Sequence, residues 1–97
     1  MNYAAIIAAD MRLVLLRALC EDADYSHNEY VLKSILEQLG HRTSSDRLRT
    51  ELAWLTEQGL IITDDRAGVV VARLTPRGKD VACGACVIPG VKRPEPL

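Results

Sequence analysis

No stretch of the 97 residues approaches the roughly 20 uninterrupted apolar positions that cross a bilayer, because Asp10, Arg12 and Arg17 break up the apolar N-terminal segment. The same segment lacks the basic region, apolar run and small-residue cleavage site of a secretory signal. A cytoplasmic location with no membrane partner is the expectation. Cysteine is scarce: Cys20, Cys83 and Cys86 are too few and too unevenly spaced for the disulfide framework of a secreted mini-protein, and read as reduced thiols. An excess of positive charge is also missing, since 12 lysines and arginines face 13 aspartates and glutamates for a formal net charge of -1. Bulk electrostatics therefore contribute little to any capture of phosphates.

Catalytic signatures are absent as well. There is no nucleophile elbow, no phosphate-cradling glycine loop and no HExxH motif. Glu21, Asp22, Asp24 and His27 gather polar side chains, but nothing supplies a pocket or an orienting partner, and they read as solvated helix-end and loop charges. Cys83-Gly84-Ala85-Cys86 has the spacing of half a zinc knuckle. No second Cys-x-x-Cys completes a tetrahedral set, and His27 and His41 lie in distant segments. A redox pair would stand at the strand-to-helix junction of a βαβ unit, whereas this one follows a short helix after a hairpin. The expectation is a protein that is not an enzyme, with no metal, no cofactor and incidental thiols; a metal shared across a dimer is the alternative.

Against these absences stands a hydrophobic content of 48%, enough for one packed domain over residues 1–87, followed by an extended proline-rich tail over 88–97. From Tyr3 to Glu21 there is no proline or glycine, and alanine, leucine, methionine and arginine predict a long helix. Ile6, Ile7, Met11, Leu13, Val14, Leu15, Leu16 and Leu19 cover more than one stripe of it, and Cys20 joins the core. A helix apolar nearly all round is buried on more than one side. In so short a chain the second side is most simply another subunit, which makes Ile6, Ile7, Met11, Val14 and Leu15 the candidate interface of a homodimer.

The polar segment Asp22 to His27 leads into a second helix capped by Ser26 or Asn28 and stopped at Gly40, with Val31, Leu32, Ile35, Leu36 and Leu39 facing inward. After the turn His41-Arg42-Thr43, Ser44 or Ser45 caps a third helix that runs to Gln58 and stops at Gly59, with Asp46 complementing its N-terminal dipole. The helical period places Leu48, Leu52 and Leu55 on one stripe toward the core. Asp46, Thr50, Ala53 and Glu57 lie opposite, with Arg47 and Trp54 on one flank and Arg49 on the other. Leu60 to Thr63 and Val69 to Leu74 are β-branched runs separated by Asp64 to Gly68, which predicts a hairpin. Thr75 and Pro76 open a short helix to Cys83, as cap and first residue. Beyond Ile88, Pro89, Gly90, Pro94 and Pro96 forbid regular structure.

The predicted class is α+β, mostly α, and the order helix, helix, turn, helix, hairpin, short helix resembles the winged helix-turn-helix: a three-helix core, a β-hairpin wing, a short C-terminal helix and an extended tail. Asp46 to Ile61, DRLRTELAWLTEQGLI, resembles the recognition helix of bacterial winged-helix regulators and its exit into the wing. Leu74-Thr75-Pro76-Arg77-Gly78 resembles the Leu-Thr-x-x-Gly pattern that closes the second wing strand of such proteins. The whole pattern, with the tail Pro89-Gly90-Val91-Lys92-Arg93-Pro94, is similar to small proteins of Mu-like phages and prophages, some of which carry an ArsR-like regulator label.

What the resemblance implies is DNA binding through the helix 45–58, with the hairpin reaching the adjacent backbone or minor groove. Carried onto this sequence, Arg47, Thr50 and Arg49 face base edges, Arg42, Ser44 and Ser45 meet phosphates, and Arg66 is the wing contact. A homodimeric transcription regulator of phage type is the first expectation. The charges oppose it, because Arg42, Arg47, Arg49 and Arg66 are matched by Asp46, Glu51, Glu57, Asp64 and Asp65 across the same face. A protein-interaction or assembly module of the same fold is therefore the alternative, with DNA replaced by a protein partner docking near Ala53 and Trp54. Trp54 otherwise packs under the wing or a neighbouring helix. The tail, with Lys92 and Arg93, wraps a partner subunit or stays disordered, ahead of reaching a minor groove.

Overall fold

In the computed structural model, which describes residues 2–96, the uninterrupted helix formers at the start of the chain make α1, Tyr3–Glu21. Asn2 caps it, its side chain accepting from the Ala5 amide at 2.8 Å. A three-residue strand, β1 (Ser26–Asn28), leads directly into α2 (Glu29–Gln38), and α3 (Ser45–Glu57) follows after a short turn. The hairpin is β2 (Ile61–Arg66) and β3 (Val69–Leu74), and α4 (Pro76–Cys83) closes the set. Among the described residues this is a mostly helical α+β arrangement: four helices and one antiparallel sheet of order β1-β3-β2.

The core is aliphatic, and α1 runs through its middle. Leu15, Leu16 and Leu19 join Leu32 and Leu36 of α2, the stripe Leu48, Leu52 and Leu55 of α3, and Leu60, Ala72, Leu74 and Val81. α1 packs against α2, α3, β3 and α4, which accounts for its surplus of apolar surface. Met11 and Leu15 are 3% and 0% exposed within the single chain, so their side chains lie in its own core and offer almost no surface to a second subunit. Of the residues expected there, Ile6 is exposed, and Ile7 and Val14 are half-buried.

The local chemistry places the caps. Asn28, not Ser26, caps α2 by accepting from the Val31 amide at 2.9 Å. Ser44, not Ser45, caps α3 through the Arg47 amide. β1 spans the end of the polar segment Asp22 to His27 and the cap Asn28, where no strand is expected from the sequence; it pairs Ser26, His27 and Asn28 with Arg73, Ala72 and Val71. The hairpin is longer than expected, because β2 continues through Asp64, Asp65 and Arg66 to a two-residue turn at Ala67 and Gly68. Both turn residues have positive φ, 54° and 83°, the combination that matches the twist of a tight hairpin.

The C-terminal segment docks on its own chain as a strap. Val91 is buried in the core cluster, the Lys92 amide donates to the carbonyl of Ala9 at 3.1 Å, and the Gly90 carbonyl accepts from Arg12 at 2.9 Å. Ile88 also packs against the core, and Lys92 lies 3.5 Å from Asp10. Among the described residues no helix is long and apolar enough to cross a membrane.

Candidate functional site

The turn between α2 and α3, the first half of α3 and the hairpin form one surface. Arg42, Ser44, Ser45, Arg47, Arg49 and Thr50 are all exposed on the turn and the start of α3. Ser44 spends its oxygen lone pair on the Arg47 amide at 3.0 Å, which leaves its hydroxyl proton to donate outward. Thr50 donates its hydroxyl to the carbonyl of Asp46 at 3.1 Å. Arg66 lies on the hairpin, paired with Asp64 at 3.0 Å with most of both side chains in solvent.

The two arginines of α3 are held from below by buried carboxylates. Arg49 donates Nε and Nη2 to the two oxygens of Glu29, both at 2.9 Å, and Nη2 also approaches the Gly68 carbonyl at 3.4 Å. Glu29 accepts in addition from the Val70 amide at 2.6 Å, so one carboxylate joins α2, α3 and β3. These hydrogen bonds, Arg49 first and Val70 second, hold the Glu29 carboxyl below its ordinary range despite burial, and Glu29 raises Arg49 in turn. On the other flank Glu51 accepts from Arg12 at 2.7 Å and from Arg47 at 2.9 Å. Both guanidiniums of α3 still show about half their side chains to solvent, 43% for Arg47 and 51% for Arg49.

Glu51 figured in the sequence only as one of the charges opposing the arginines, not as a buried partner of two of them, and Glu29 did not figure at all. Glu51 carried a signal: it follows Leu48 by three positions and precedes Leu55 by four, so the helical period puts it beside the inward stripe. Glu29 carried none, because the first turn of a helix is where a solvated acid is ordinary. A second pair was also missed. Asp10 on α1 bonds His41 in the turn before α3 at 2.5 Å and lies 3.5 Å from Lys92 of the strap, and the bond to His41 is the main cause that lowers the Asp10 carboxyl. Trp54 packs against a neighbouring helix: the guanidinium of Arg12 on α1 lies 3.9 Å from its ring centroid.

Elsewhere the acidic cluster behaves as loop structure. Asp22 accepts from the amides of Asp24 and Ser26 at 3.0 and 3.2 Å, fixing the exit from α1. Cys83 is exposed at the end of α4, and Cys86 is half-buried beyond it.

These features define a small α+β protein whose α2-turn-α3 segment and hairpin present one arginine-bearing face. No family model matches the sequence. The chain is 43% identical over 91 residues, 94% of each chain, to the "Uncharacterized protein gp26" of Escherichia phage Mu, and it belongs to the family of that protein. It is also 38% identical over 97 residues to an uncharacterized protein of Haemophilus influenzae, covering 99% of this chain and 94% of the other.

Proposed function

We propose that this protein binds double-stranded DNA in the manner of a winged helix-turn-helix, as a regulator of phage type, with α3 in the major groove and the hairpin as the wing. The observation that carries the reading is the Glu29 clamp. By tying Arg49, the Val70 amide and, through Arg49, the Gly68 carbonyl, it holds the hairpin in a set place beside α3. A helix and a hairpin fixed in one rigid frame can meet a groove and its flanking backbone together without an ordering cost on binding. In this reading Arg47 and Thr50 face base edges, while Arg42, Ser44, Ser45 and Arg66 meet phosphates. Arg49 acts chiefly as the tie.

The charge balance supports a second reading, in which the same face docks a protein. Glu51 and Glu29 offset much of the charge of Arg47 and Arg49, as suits a contact poorer in phosphates. Fluorescence anisotropy of a labelled mixed-sequence duplex pool, titrated at two salt concentrations, separates them. Salt-sensitive saturation is the expected result; no binding at low salt rejects DNA and leaves the protein-docking reading. A homodimer belongs to the first reading. With Met11 and Leu15 in the core, only Ile6, Ile7 and Val14 of the original set remain on the surface of α1. A monomer in sedimentation equilibrium at micromolar concentration would refute it.

A further inference from the structure

The strap, residues 88–93, is linked through Arg12 and the buried Glu51 to Arg47, the first arginine of α3. The Gly90 carbonyl accepts from Arg12 Nη1 at 2.9 Å, Arg12 Nε donates to Glu51 Oε1 at 2.7 Å, and Glu51 Oε2 accepts from Arg47 Nε at 2.9 Å. Burial is deepest in the middle of this line: Arg12 shows 16% of its side chain to solvent, Glu51 5% and Arg47 43%. Glu51 thus lies inside the protein between an anchored, mostly buried guanidinium and one that is bonded to it but half exposed. What anchors Arg12 is the strap together with Trp54, on whose ring it lies.

Gly90 is what permits the docking. Its φ is +95°, and a Cβ there would lie 2.7 Å from Trp54 Cζ2 and 2.9 Å from Cη2. A second tie runs beside the first, from Lys92 through Asp10 to His41 in the turn that precedes Arg42. The strap thus fastens to both the turn and the middle of α3 without reaching their exposed face.

We propose that the strap sets the availability of Arg47: docked, it keeps Arg12 on Glu51 and leaves Arg47 free to turn outward to an anion, and released, it hands Glu51 to Arg47 alone. The reason is the cost of an uncompensated buried carboxylate. If Arg12 loses its anchor, Glu51 must hold its remaining cation more tightly, and α3 then presents less positive charge. Arg12 and Glu51 are positioning residues in this scheme, acting through Arg47. The anion being a DNA phosphate or base edge rests on the reading proposed above, but the coupling within the protein does not.

The test uses the full chain and the variants Gly90→Val, Arg12→Gln and Arg12→Lys. Trp54 is the sole tryptophan, so its emission reports the strap directly. The expected result is a red shift in Gly90→Val together with a displaced Arg47 Nε–H resonance in the free protein, with the same Arg47 displacement in Arg12→Gln and less in Arg12→Lys. On duplex DNA the salt slope of Gly90→Val should fall by about 0.9, one phosphate contact, and adding Arg47→Ala should lower it no further. A red-shifted Trp54 with an unmoved Arg47 resonance overturns the proposal, as does an additive loss in the double variant. Should the intact protein bind no duplex while the Arg47 resonance follows the strap, the coupling stands and the DNA reading alone falls. Circular dichroism melts of each variant exclude global unfolding as the cause, and Arg12→Gln, which leaves the strap sequence intact, carries the test if Gly90→Val does not fold.

Discussion

Glu29 and Arg49, twenty residues apart in sequence, meet through two parallel hydrogen bonds of 2.9 Å, one from Nε and one from Nη2, each to its own carboxylate oxygen. Such a pairing is geometrically specific as well as strong. Because Glu29 also accepts from the Val70 amide, the same carboxylate decides where the hairpin stands relative to α3. One carboxylate thus ties the hairpin to α3, and the tie is strongest when that carboxylate is ionised.

That dependence on ionisation has a sign. The Glu29 carboxyl lies below the ordinary glutamate value of 4.5, principally because Arg49 donates to it. A carboxylate with a depressed folded-state value stabilises fully above the ordinary value and loses its contribution as the pH falls below it and through the folded value. Glu29→Gln should therefore be less stable than the parent near neutral pH, and the gap in urea midpoints should close as the pH is lowered from about 5 toward 3. A gap that stays constant over that range would show that Glu29 acts by shape and not by charge.

Gly78 offers a steric prediction. A Cβ at this position would lie 2.0 Å from the carbonyl oxygen of Leu60 and 2.7 Å from Leu74 Cδ1. The oxygen cannot move aside freely, since it accepts from the Thr75 amide at 3.1 Å. Gly78→Ala should lower stability by about 3 kcal/mol, the upper end for overpacking in a tight core. Chemical denaturation reads it directly, and a loss well under that figure would mean that α4 is free to lift from the sheet.

Gly78 also shows why part of this molecule was legible in its sequence. In Leu74-Thr75-Pro76-Arg77-Gly78 each residue type answers a local demand: Thr75 caps α4 through the Gly78 amide, Pro76 starts the helix, and Gly78 lets α4 rest on the Leu60 backbone. The stripe Leu48, Leu52, Leu55 was legible for the same reason, because helical period alone assigns it. What stayed hidden depends on partners far along the chain. β1 is three residues long and exists only because β3 lies beside it. Met11 and Leu15 look like interface residues until α4 and the strap are known to cover α1. The pairs Arg49–Glu29 and Arg12–Glu51 join residues that no spacing rule connects.

The hairpin turn holds a removable strain. Ala67 has φ of 54°, a left-handed conformation that costs an ordinary residue about 1 kcal/mol and asparagine less. Its neighbour Gly68 already suits the turn, and its amide donates to Asp65 at 2.8 Å. Ala67→Asn, which makes the favoured pair for this turn, should raise stability by about 0.5 to 1 kcal/mol. An unchanged or lower thermal midpoint would place the strain elsewhere.

The last prediction concerns the charge at the end of the hairpin, where Arg66 and Asp64 pair at 3.0 Å with most of both side chains in solvent. An exposed pair of this kind adds little to stability, so either partner is replaceable without endangering the fold. If the hairpin is a DNA wing, Asp64 works against it, by engaging Arg66 and by repelling the backbone. Asp64→Asn should then strengthen duplex binding and steepen its salt dependence, while Arg66→Ala weakens binding and flattens the slope by about 0.9, one phosphate contact. The opposed directions matter, because a substitution that merely loosens the hairpin would weaken binding in both variants. If neither variant moves duplex affinity, Arg66 meets no phosphate, and the arginine-bearing face is better understood as a surface for another protein.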